Sequence, residues 1–200
     1  MNLASISTED LLAELAARND LLDSEGVISS PKGYQLVTKM TPIPCVDGVA
    51  VRRNNGKIEA MAIRRGSGPE KGKLCSVGGR IRMYEDMESC LRRQFMTDLN
   101  CSIEMLVPWN HPVDALQCAP KEHVGQNPQF GPEYGKHAMT SYYPVRLLSE
   151  PKPGGTTAHG GVEALAVEWF SRENFPAPQE FGYSQGSKIF SCLEAAENLI

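Results

Sequence analysis

The chain has 200 residues, and 20 Lys and Arg against 24 Asp and Glu leave a formal net charge of −4. This charge provides no basic excess to neutralise a nucleic-acid backbone, which argues against a nucleic-acid-binding protein, whereas a single phosphate ligand needs only a few local cations. No stretch approaches the roughly 18 continuous apolar residues of a membrane span, and six cysteines scattered without CxxC spacing favour reduced thiols and a cytoplasmic location.

Residues 7–22 have the pattern of an amphipathic helix. Ser7 or Thr8 can cap its N-terminus, and the acidic residues that follow favour the positive end of the helix dipole. The apolar positions recur at helical spacing and are Leu11, Leu12, Leu15 and Leu22. A Ser-Ser-Pro-Lys-Gly break then predicts a helical extension over residues 1–33, suited to packing or to homodimer formation, and a separate globular domain over residues 34–200.

Within this domain, apolar-rich runs alternate with turn signals. Asn-Asn-Gly at 54–56 joins two of the runs and predicts a β-hairpin, because Asn and Gly tolerate positive φ. The predicted strands cover residues 46–53, 57–65, 73–77, 103–107, 139–148 and 163–170. The predicted helices cover residues 86–99 and 193–199, and the predicted long loops cover residues 108–136 and 151–161. Pro144 lies inside a predicted strand and therefore predicts an edge position or a bulge.

A Gly-Gly turn at 78–79 leads from a predicted strand towards the predicted helix, which starts just after Glu85. On that helix, Gln94 and Asp98 are four residues apart and therefore share one face. The Asp98 carboxylate can then meet a backbone carbonyl exposed at Gly79. Carboxylate, amide and carbonyl oxygens are ligands that Mg²⁺ takes in proteins, so these residues predict a cation site that would neutralise charge on a diphosphate.

For an acidic protein, arginine is dense around the predicted hairpin and turn. The residues concerned are Arg52, Arg53, Arg64, Arg65, Arg80 and Arg82. At strand ends, their planar guanidinium groups could hold phosphate oxygens through paired hydrogen bonds. Tyr143 is a candidate for stacking on a base, although alternation along its strand places either Tyr142 or Tyr143 in the core.

The spacing of these residues resembles the signature of the Nudix hydrolases, G-x5-E-x7-R-E-U-x-E-E-x-G-U, in which U is aliphatic. Gly79, Glu85 and Arg93 match it without adjustment. The later positions differ from the signature and are Gln94, Phe95, Thr97, Asp98 and Asn100. Asp98 is thus the surviving carboxylate after the arginine. The resemblance implies a fold of the α/β (α+β) class, a Nudix-type α/β/α sandwich with a mixed sheet, and we expect Glu85 and Arg93 to form an ion pair that ties the loop to the helix.

Within that family, the chain is most similar to the nucleotide-sugar branch typified by GDP-mannose mannosyl hydrolase. That branch also has a Gly-Gly-Arg turn and a single late carboxylate, and its R-x-x-M-x-[acid]-L pattern is similar to residues 93–99. Residues 140–143 and 168–170 resemble its later strands. The resemblance covers about residues 46–175.

This resemblance implies roles in metal binding and catalysis. The metal, Mg²⁺ with Mn²⁺ as the alternative, would be held by Gly79, Gln94, Asp98 and Glu163. The catalytic histidine of the branch aligns with Ala164 here, which leaves Glu163 itself or His159 as the catalytic base. Arg80 would stabilise the departing diphosphate.

The resemblance also implies a small-molecule nucleotide-sugar substrate. The residues assigned to substrate binding are Arg52, Arg65 and Tyr143. We expect Mg²⁺-dependent hydrolysis of a GDP-mannose-like nucleoside diphosphate sugar to nucleoside diphosphate and free sugar, by attack at the sugar C1. Two alternatives stay open: pyrophosphate cleavage by attack at phosphorus, and a catalytically inactive module that binds a nucleotide sugar.

Overall fold

The computed structural model describes residues 41–68, 70–118, 137–156 and 161–200, together with Ser7, Asp10, Ala13, Glu14 and Ala17. The strands are β1 (Ile43–Asn54), β2 (Lys57–Arg65), β3 (Leu74–Cys75), β4 (Val77–Arg80), β5 (Ile103–Met105), β6 (Asp114–Cys118), β7 (Ala138–Leu147) and β8 (Ala164–Ser171). The helices are α1 (Met87–Leu99) and α2 (Gly186–Ala196), and short 3-10 turns lie at Arg172–Asn174, Pro178–Glu180 and Gly182–Ser184.

Strand β1 is the centre of a mixed sheet. It pairs antiparallel with β2 and β4 and parallel with β7, in the order β3-β2-β1-β7-β5, while β8 adds to β2 and β6 adds to β7. Asn55 and Gly56 both have positive φ between β1 and β2, which confirms the predicted hairpin turn. Because β4 and β2 pair with successive halves of β1, the Gly78–Gly79 segment and the end of β2 belong to the same sheet.

The two helices cover opposite faces of this sheet and create two cores. Helix α1 supplies Leu91, Phe95 and Leu99 to the first core, in contact with the β1 residue Val46. The second core contains the α2 residues Ile189, Cys192, Leu193 and Ala196 and the sheet residues Val49, Val51, Ala60 and Tyr142. The predicted α/β/α sandwich with a mixed sheet is therefore confirmed.

Helix α1 begins and ends as its sequence predicts. The Asp86 side chain accepts a hydrogen bond from the backbone N–H of Ser89 at 2.8 Å, which caps the N-terminus. Asn100 ends the helix in the left-handed conformation, with φ of 47°. These two caps define where α1 begins and ends, and so which of its residues lie beside β4.

The structure corrects three element assignments. Gly78 and Gly79, predicted as a turn, lie inside strand β4 and pair antiparallel with Asp47 and Val46 of β1. The predicted loop 108–136 contains strand β6, whose five residues pair antiparallel with β7 but show no clear apolar alternation. Residues 119–136 of that loop lie outside the described residues. Helix α2 starts at Gly186 rather than at Leu193, because its first turn, Gly-Ser-Lys, has weak helix propensity and its apolar stripe begins only at Ile189.

Pro144 lies in an interior strand, so the predicted edge position is wrong. On the side of β7 away from β1, β6 pairs only up to Tyr142 and β5 pairs only from Val145. The Pro144 carbonyl accepts from Leu106 on that same side. The missing N–H of proline therefore faces the gap between β5 and β6, where no ladder hydrogen bond is lost.

Most of the predicted N-terminal helix falls outside the described residues, including Leu11, Leu12, Leu15 and Leu22. Asp10, Ala13, Glu14 and Ala17 are helical. The hydroxyl of Ser7 accepts a hydrogen bond from the backbone N–H of Asp10 at 3.1 Å, as expected of a cap. The boundary between residues 1–33 and 34–200, and the dimer, stay predictions. Among the residues that the structure describes, no helix combines the length and the hydrophobicity needed to cross a bilayer.

Candidate functional site

Two glycines of β4 allow the sheet to approach its neighbours closely. A Cβ atom built on Gly79 would clash with Gln94 Nε2 of α1, and one built on Gly78 would clash with Asp47 Oδ1. No larger residue fits either position without moving its neighbour. The Gln94 side chain therefore lies against Gly79, whose carbonyl accepts a hydrogen bond from Cys90 Sγ.

Glu85 and Arg93 form the expected ion pair. Arg93 donates from Nε to Glu85 Oε1 at 2.6 Å and from Nη2 to Oε2 at 2.8 Å, a bidentate arrangement. Arg93 also donates to the Arg80 carbonyl, and the Arg82 backbone N–H donates to Glu85. Burial opposes ionisation of Glu85, but these hydrogen bonds outweigh it and lower the pKa of Glu85. The pair holds the connection between β4 and α1 against the helix.

Asp98 is a buried carboxylate, with 5% of its surface exposed. Gly155 packs against it, so closely that a Cβ at Gly155 would lie 3.3 Å from Asp98 Oδ1. No described residue donates a hydrogen bond to the Asp98 carboxylate. Burial, together with the negative charge of Glu163, raises the pKa of Asp98 to about 7. A buried carboxylate with this lack of donors is suited to accept a cation.

Glu163 lies at the end of the connection between β7 and β8, part of which contacts the C-terminal end of α1. The Lys152 backbone N–H donates to the Leu99 carbonyl, and the Glu163 N–H donates to the Gly155 carbonyl at 3.3 Å. The Glu163 carboxylate forms an ion pair with Arg65, with 2.6 Å between Oε1 and Nη1. Burial raises the pKa of Glu163, and the charge of Arg65 opposes this rise.

The predicted metal ligands are linked by a series of neighbour contacts, and their chemistry is of the kind that a hard cation takes. Gly79 touches Gln94, Gln94 is one helical turn from Asp98, Asp98 packs on Gly155, and Gly155 holds Glu163. Carbonyl, amide and carboxylate oxygens suit Mg²⁺ or Mn²⁺. Within the described ranges, no group of three or more His, Cys, Asp or Glu side chains gathers at one point. Two carboxylates at this site are enough for one divalent ion rather than several.

Arg52 lies away from this site, so the structure does not support its predicted substrate contact. It pairs with Glu59 at 2.8 Å and stacks on the Trp169 ring at 3.9 Å. Glu59 is six residues from Arg65 along β2, which separates the two arginines by roughly 20 Å. The guanidinium of Arg52 therefore interacts with Glu59 and Trp169 at the hairpin end of the sheet.

Tyr143 is also not available for stacking on a ligand. Its side chain is 1% exposed, and its hydroxyl donates to the Trp109 carbonyl and to Met87 Sδ. Tyr142 is buried on the opposite face, because helices cover both faces of the sheet and alternation does not separate core from solvent here.

The remaining predicted residues have different outcomes. The Arg80 carbonyl accepts from Arg93, and Arg80 lies close enough to Cys45 to influence its ionisation. Ala164 is 1% exposed and is part of the first core. His159, one of the two predicted bases, lies outside the described residues.

A polar cavity beside the Gly78–Gly79 segment was not predicted from the sequence. Its volume is about 90 Å³, and its lining residues include Asp47, Arg65, Ser76, Thr140, Tyr142 and Gln185. Ser76 Oγ and Gln185 Nε2 donate to Asp47 Oδ2 at 2.6 and 2.9 Å. The buried Tyr142 hydroxyl has no hydrogen-bond partner among the described residues. Such a group is suited to bind a polar ligand.

Asp47 is the acidic centre of this cavity. Burial raises its pKa to about 6, although hydrogen bonds from Ser76 and Gln185 and the charge of Arg65 stabilise the carboxylate. The available signal was its place in the sequence, since an Asp inside the apolar run from Val46 to Val51 is unusual for a buried strand.

Comparison with known proteins identifies the family and the fold. Residues 42–189 match the protein family described as NUDIX domain. The fold resembles that of a possible asymmetric diadenosine tetraphosphate hydrolase from Jonesia denitrificans, with a TM-score of 0.63 and 20% identity over 80% of this chain and 98% of that chain. No curated protein matches the sequence.

Two further structures share the fold. One is a C. elegans Ap4A hydrolase binary complex, with a TM-score of 0.55 and 16% identity over 78% of this chain and 98% of that chain. The other is the NUDIX domain of Shewanella oneidensis NrtR complexed with ADP ribose, with a TM-score of 0.52 and 16% identity over 94% of this chain and 98% of that chain. At these identities the structures support the fold assignment.

The environment of Asp98 predicts that Asp98→Asn stabilises the metal-free protein at high pH. The pKa of Asp98 lies at about 7 in the fold against an ordinary value of 3.8, so ionisation disfavours the folded state increasingly from about pH 4 and in full above about pH 7. The gain in the free energy of unfolding should be on the order of 2 kcal/mol at about pH 9 and should vanish as the pH falls towards 4.

Urea unfolding in the presence of EDTA measures this difference. Glu104→Gln is the control, because Glu104 is half exposed and pairs with Arg146 on the surface. A loss of stability at about pH 9 in Asp98→Asn, or a gain of equal size in Glu104→Gln, would contradict the account of Asp98.

Proposed function

The chain belongs to the NUDIX domain family and is a Nudix-type hydrolase, and from this premise we propose that it hydrolyses a nucleoside diphosphate linked to a second group, with a nucleotide sugar as the leading candidate. The observation that carries the proposal is the pair of carboxylates formed by the buried Asp98 and the partly buried Glu163, whose charge acts on Asp98. A single Mg²⁺ or Mn²⁺ there would neutralise charge on the diphosphate.

The chain's own residues bind and orient the substrate around that ion. Gly79, Gln94, Asp98 and Glu163 provide the oxygen ligands. Arg65, with its guanidinium between Glu163 and the polar cavity, is placed to hold phosphate oxygens. Arg80 follows the Gly-Gly segment directly and is the second arginine proposed for the diphosphate.

Attack at phosphorus is favoured over attack at the sugar C1. The histidine that serves the C1 route in the mannosyl hydrolase branch aligns with Ala164, which is buried in the core and has no basic group. Glu163 is a described carboxylate that could accept a proton from water through an oxygen not used by the ion, and burial raises its pKa. Its charge acts on Asp98, so a water that it deprotonates would be close to a diphosphate held by an ion on Asp98.

The polar cavity, at about 90 Å³ too small for a whole nucleoside, is proposed as the subsite for one polar group of the substrate. It adjoins the Gly78–Gly79 segment, and it offers the Asp47 carboxylate and the Tyr142 hydroxyl for hydrogen bonds. The neighbouring structures of Ap4A hydrolases and of an ADP-ribose complex support a nucleotide ligand in this fold. They do not distinguish GDP-mannose from other nucleoside diphosphate derivatives.

Hydrolysis in H₂¹⁸O of a panel containing GDP-mannose, ADP-ribose and UDP-glucose tests the proposal. We expect a nucleoside monophosphate and a sugar phosphate, with ¹⁸O in one phosphate. Asp98→Asn should lower kcat/KM at least about a hundredfold, because it removes a ligand charge, whereas Thr97→Ala on the exposed face of α1 should leave it unchanged.

Other product patterns contradict the proposal in distinct ways. Nucleoside diphosphate and ¹⁸O-labelled free sugar would show that water attacks C1, as the sequence resemblance implied. Binding without turnover across the whole panel would support the inactive binding module.

The cavity generates a separate prediction for Thr140→Phe. Thr140 lines the cavity, so a phenyl group there should raise KM at least about tenfold with a smaller effect on kcat. Met139→Phe is the matched control, because Met139 is the next residue of β7 and is 53% exposed. Steady-state kinetics on the best substrate of the panel measure both variants, and an unchanged KM in Thr140→Phe would show that no part of the substrate binds in this cavity.

A further inference from the structure

Arg65 lies where the pairing between β2 and β8 changes register. Arg64 is opposite Ala166 and Arg65 is opposite Ala164, so the extra residue is Leu165 of β8. A bulge bends the strand that carries it, here the start of β8 directly after Glu163. The Arg65 Nε donates to the Ser67 carbonyl at 3.0 Å, and Nη1 lies 2.6 Å from Glu163 Oε1.

Arg65 is also the shared counter-ion of three carboxylates. Its positive charge acts on Asp47, Asp98 and Glu163, in each case against the effect of burial. The Tyr183 ring covers another side of the guanidinium, with 5.8 Å between the Arg65 carbon and the ring centroid. The guanidinium thus provides positive charge where a divalent ion would also bind.

We propose that Arg65 and the divalent ion compete for Glu163, and that a bound diphosphate ends this competition by drawing the guanidinium onto its phosphate oxygens. The inference rests on the proposed function, because it takes Glu163 as a metal ligand. Two cations that use one carboxylate oxygen repel each other, whereas a diphosphate between them attracts both. The planar guanidinium fits phosphate oxygens as well as it fits a carboxylate.

Competition of this kind makes metal and diphosphate binding cooperative. The ion alone binds weakly, since it must displace Arg65 from Glu163. Once the diphosphate holds Arg65, the ion binds to Glu163 without that opposition. By linkage, the ion then strengthens diphosphate binding by the same factor.

Removing Arg65 should therefore have opposite effects on the two ligands. In Arg65→Gln, we expect Mn²⁺ alone to bind about tenfold more tightly than to the natural chain. Methylenediphosphonate, a diphosphate that is not hydrolysed, should bind at least about tenfold more weakly at saturating Mn²⁺. Electron paramagnetic resonance of free Mn²⁺ and calorimetry of the diphosphonate measure the two affinities at about pH 8.5, where proton competition is small.

Arg64→Gln is the matched control. Arg64 is the preceding residue, has the same charge and pairs with Glu168 at 2.7 Å on the other face of β2. We expect it to change neither affinity. Weaker or unchanged Mn²⁺ binding in Arg65→Gln, unchanged diphosphonate binding, or the same shifts in Arg64→Gln would overturn the proposal.

Arg65→Lys keeps the proposal testable if Arg65→Gln does not fold, which thermal unfolding reveals. Lysine keeps the charge but loses the fork, so both affinities should move in the same directions by a smaller factor. Shifts in the reverse directions would overturn the proposal.

These binding measurements need no turnover. A chain that hydrolyses none of the panel can still show the antagonism between Arg65 and Mn²⁺. If the chain hydrolyses a nucleotide sugar but Arg65→Gln leaves its Mn²⁺ affinity unchanged, this inference is refuted while the proposed function stands.

Discussion

The Arg65–Glu163 ion pair is the interaction on which the proposed site depends. Three carboxylates approach one another at the end of β2, and their mutual repulsion and burial would be unfavourable without a cation. Arg65 provides that cation in the structure, at 2.6 Å from Glu163. Asp98 is the group left without a hydrogen-bond donor among the described residues. The negative charge of the carboxylates therefore exceeds the positive charge of Arg65, and this excess favours the binding of a divalent ion.

The fold creates this condition by bringing three distant segments together without room for larger residues. Gly79 packs on Gln94, and Gly155 packs on Asp98 with φ of 75°, a conformation that glycine adopts readily. The Glu85–Arg93 ion pair fixes the connection between β4 and α1. The helix, and with it Asp98, is thereby held in place relative to β4. The site lowers the stability of the fold, because burying an ionised Asp98 decreases the free energy of unfolding.

The spacing along the sequence was sufficient to predict those site residues that lie close together in the chain. The distances along the chain from Gly79 to Glu85, Arg93 and Asp98 are set by one turn and one helix, so periodicity could place them. Glu163 could be predicted from the sequence because it precedes a recognisable strand. The Arg65–Glu163 contact could not be predicted, since it depends on a shift of register between β2 and β8.

Non-local packing accounts for the residues whose surroundings differ from the expectation and for the residue that was missed. Tyr143 and Arg52 were assigned to substrate binding from composition and resemblance, but α1 buries the first and Trp169 holds the second. Asp47 was missed because its partners, Ser76 and Gln185, come from distant segments.

Anomalous diffraction from crystals grown with Mn²⁺ and methylenediphosphonate is the most direct test of the central claim. The account predicts one manganese peak per chain, with oxygens of Asp98 and Glu163 as ligands and the Arg65 guanidinium on the diphosphonate. A peak that excludes Asp98, or an Arg65–Glu163 pair left intact beside the bound metal and diphosphonate, would contradict it.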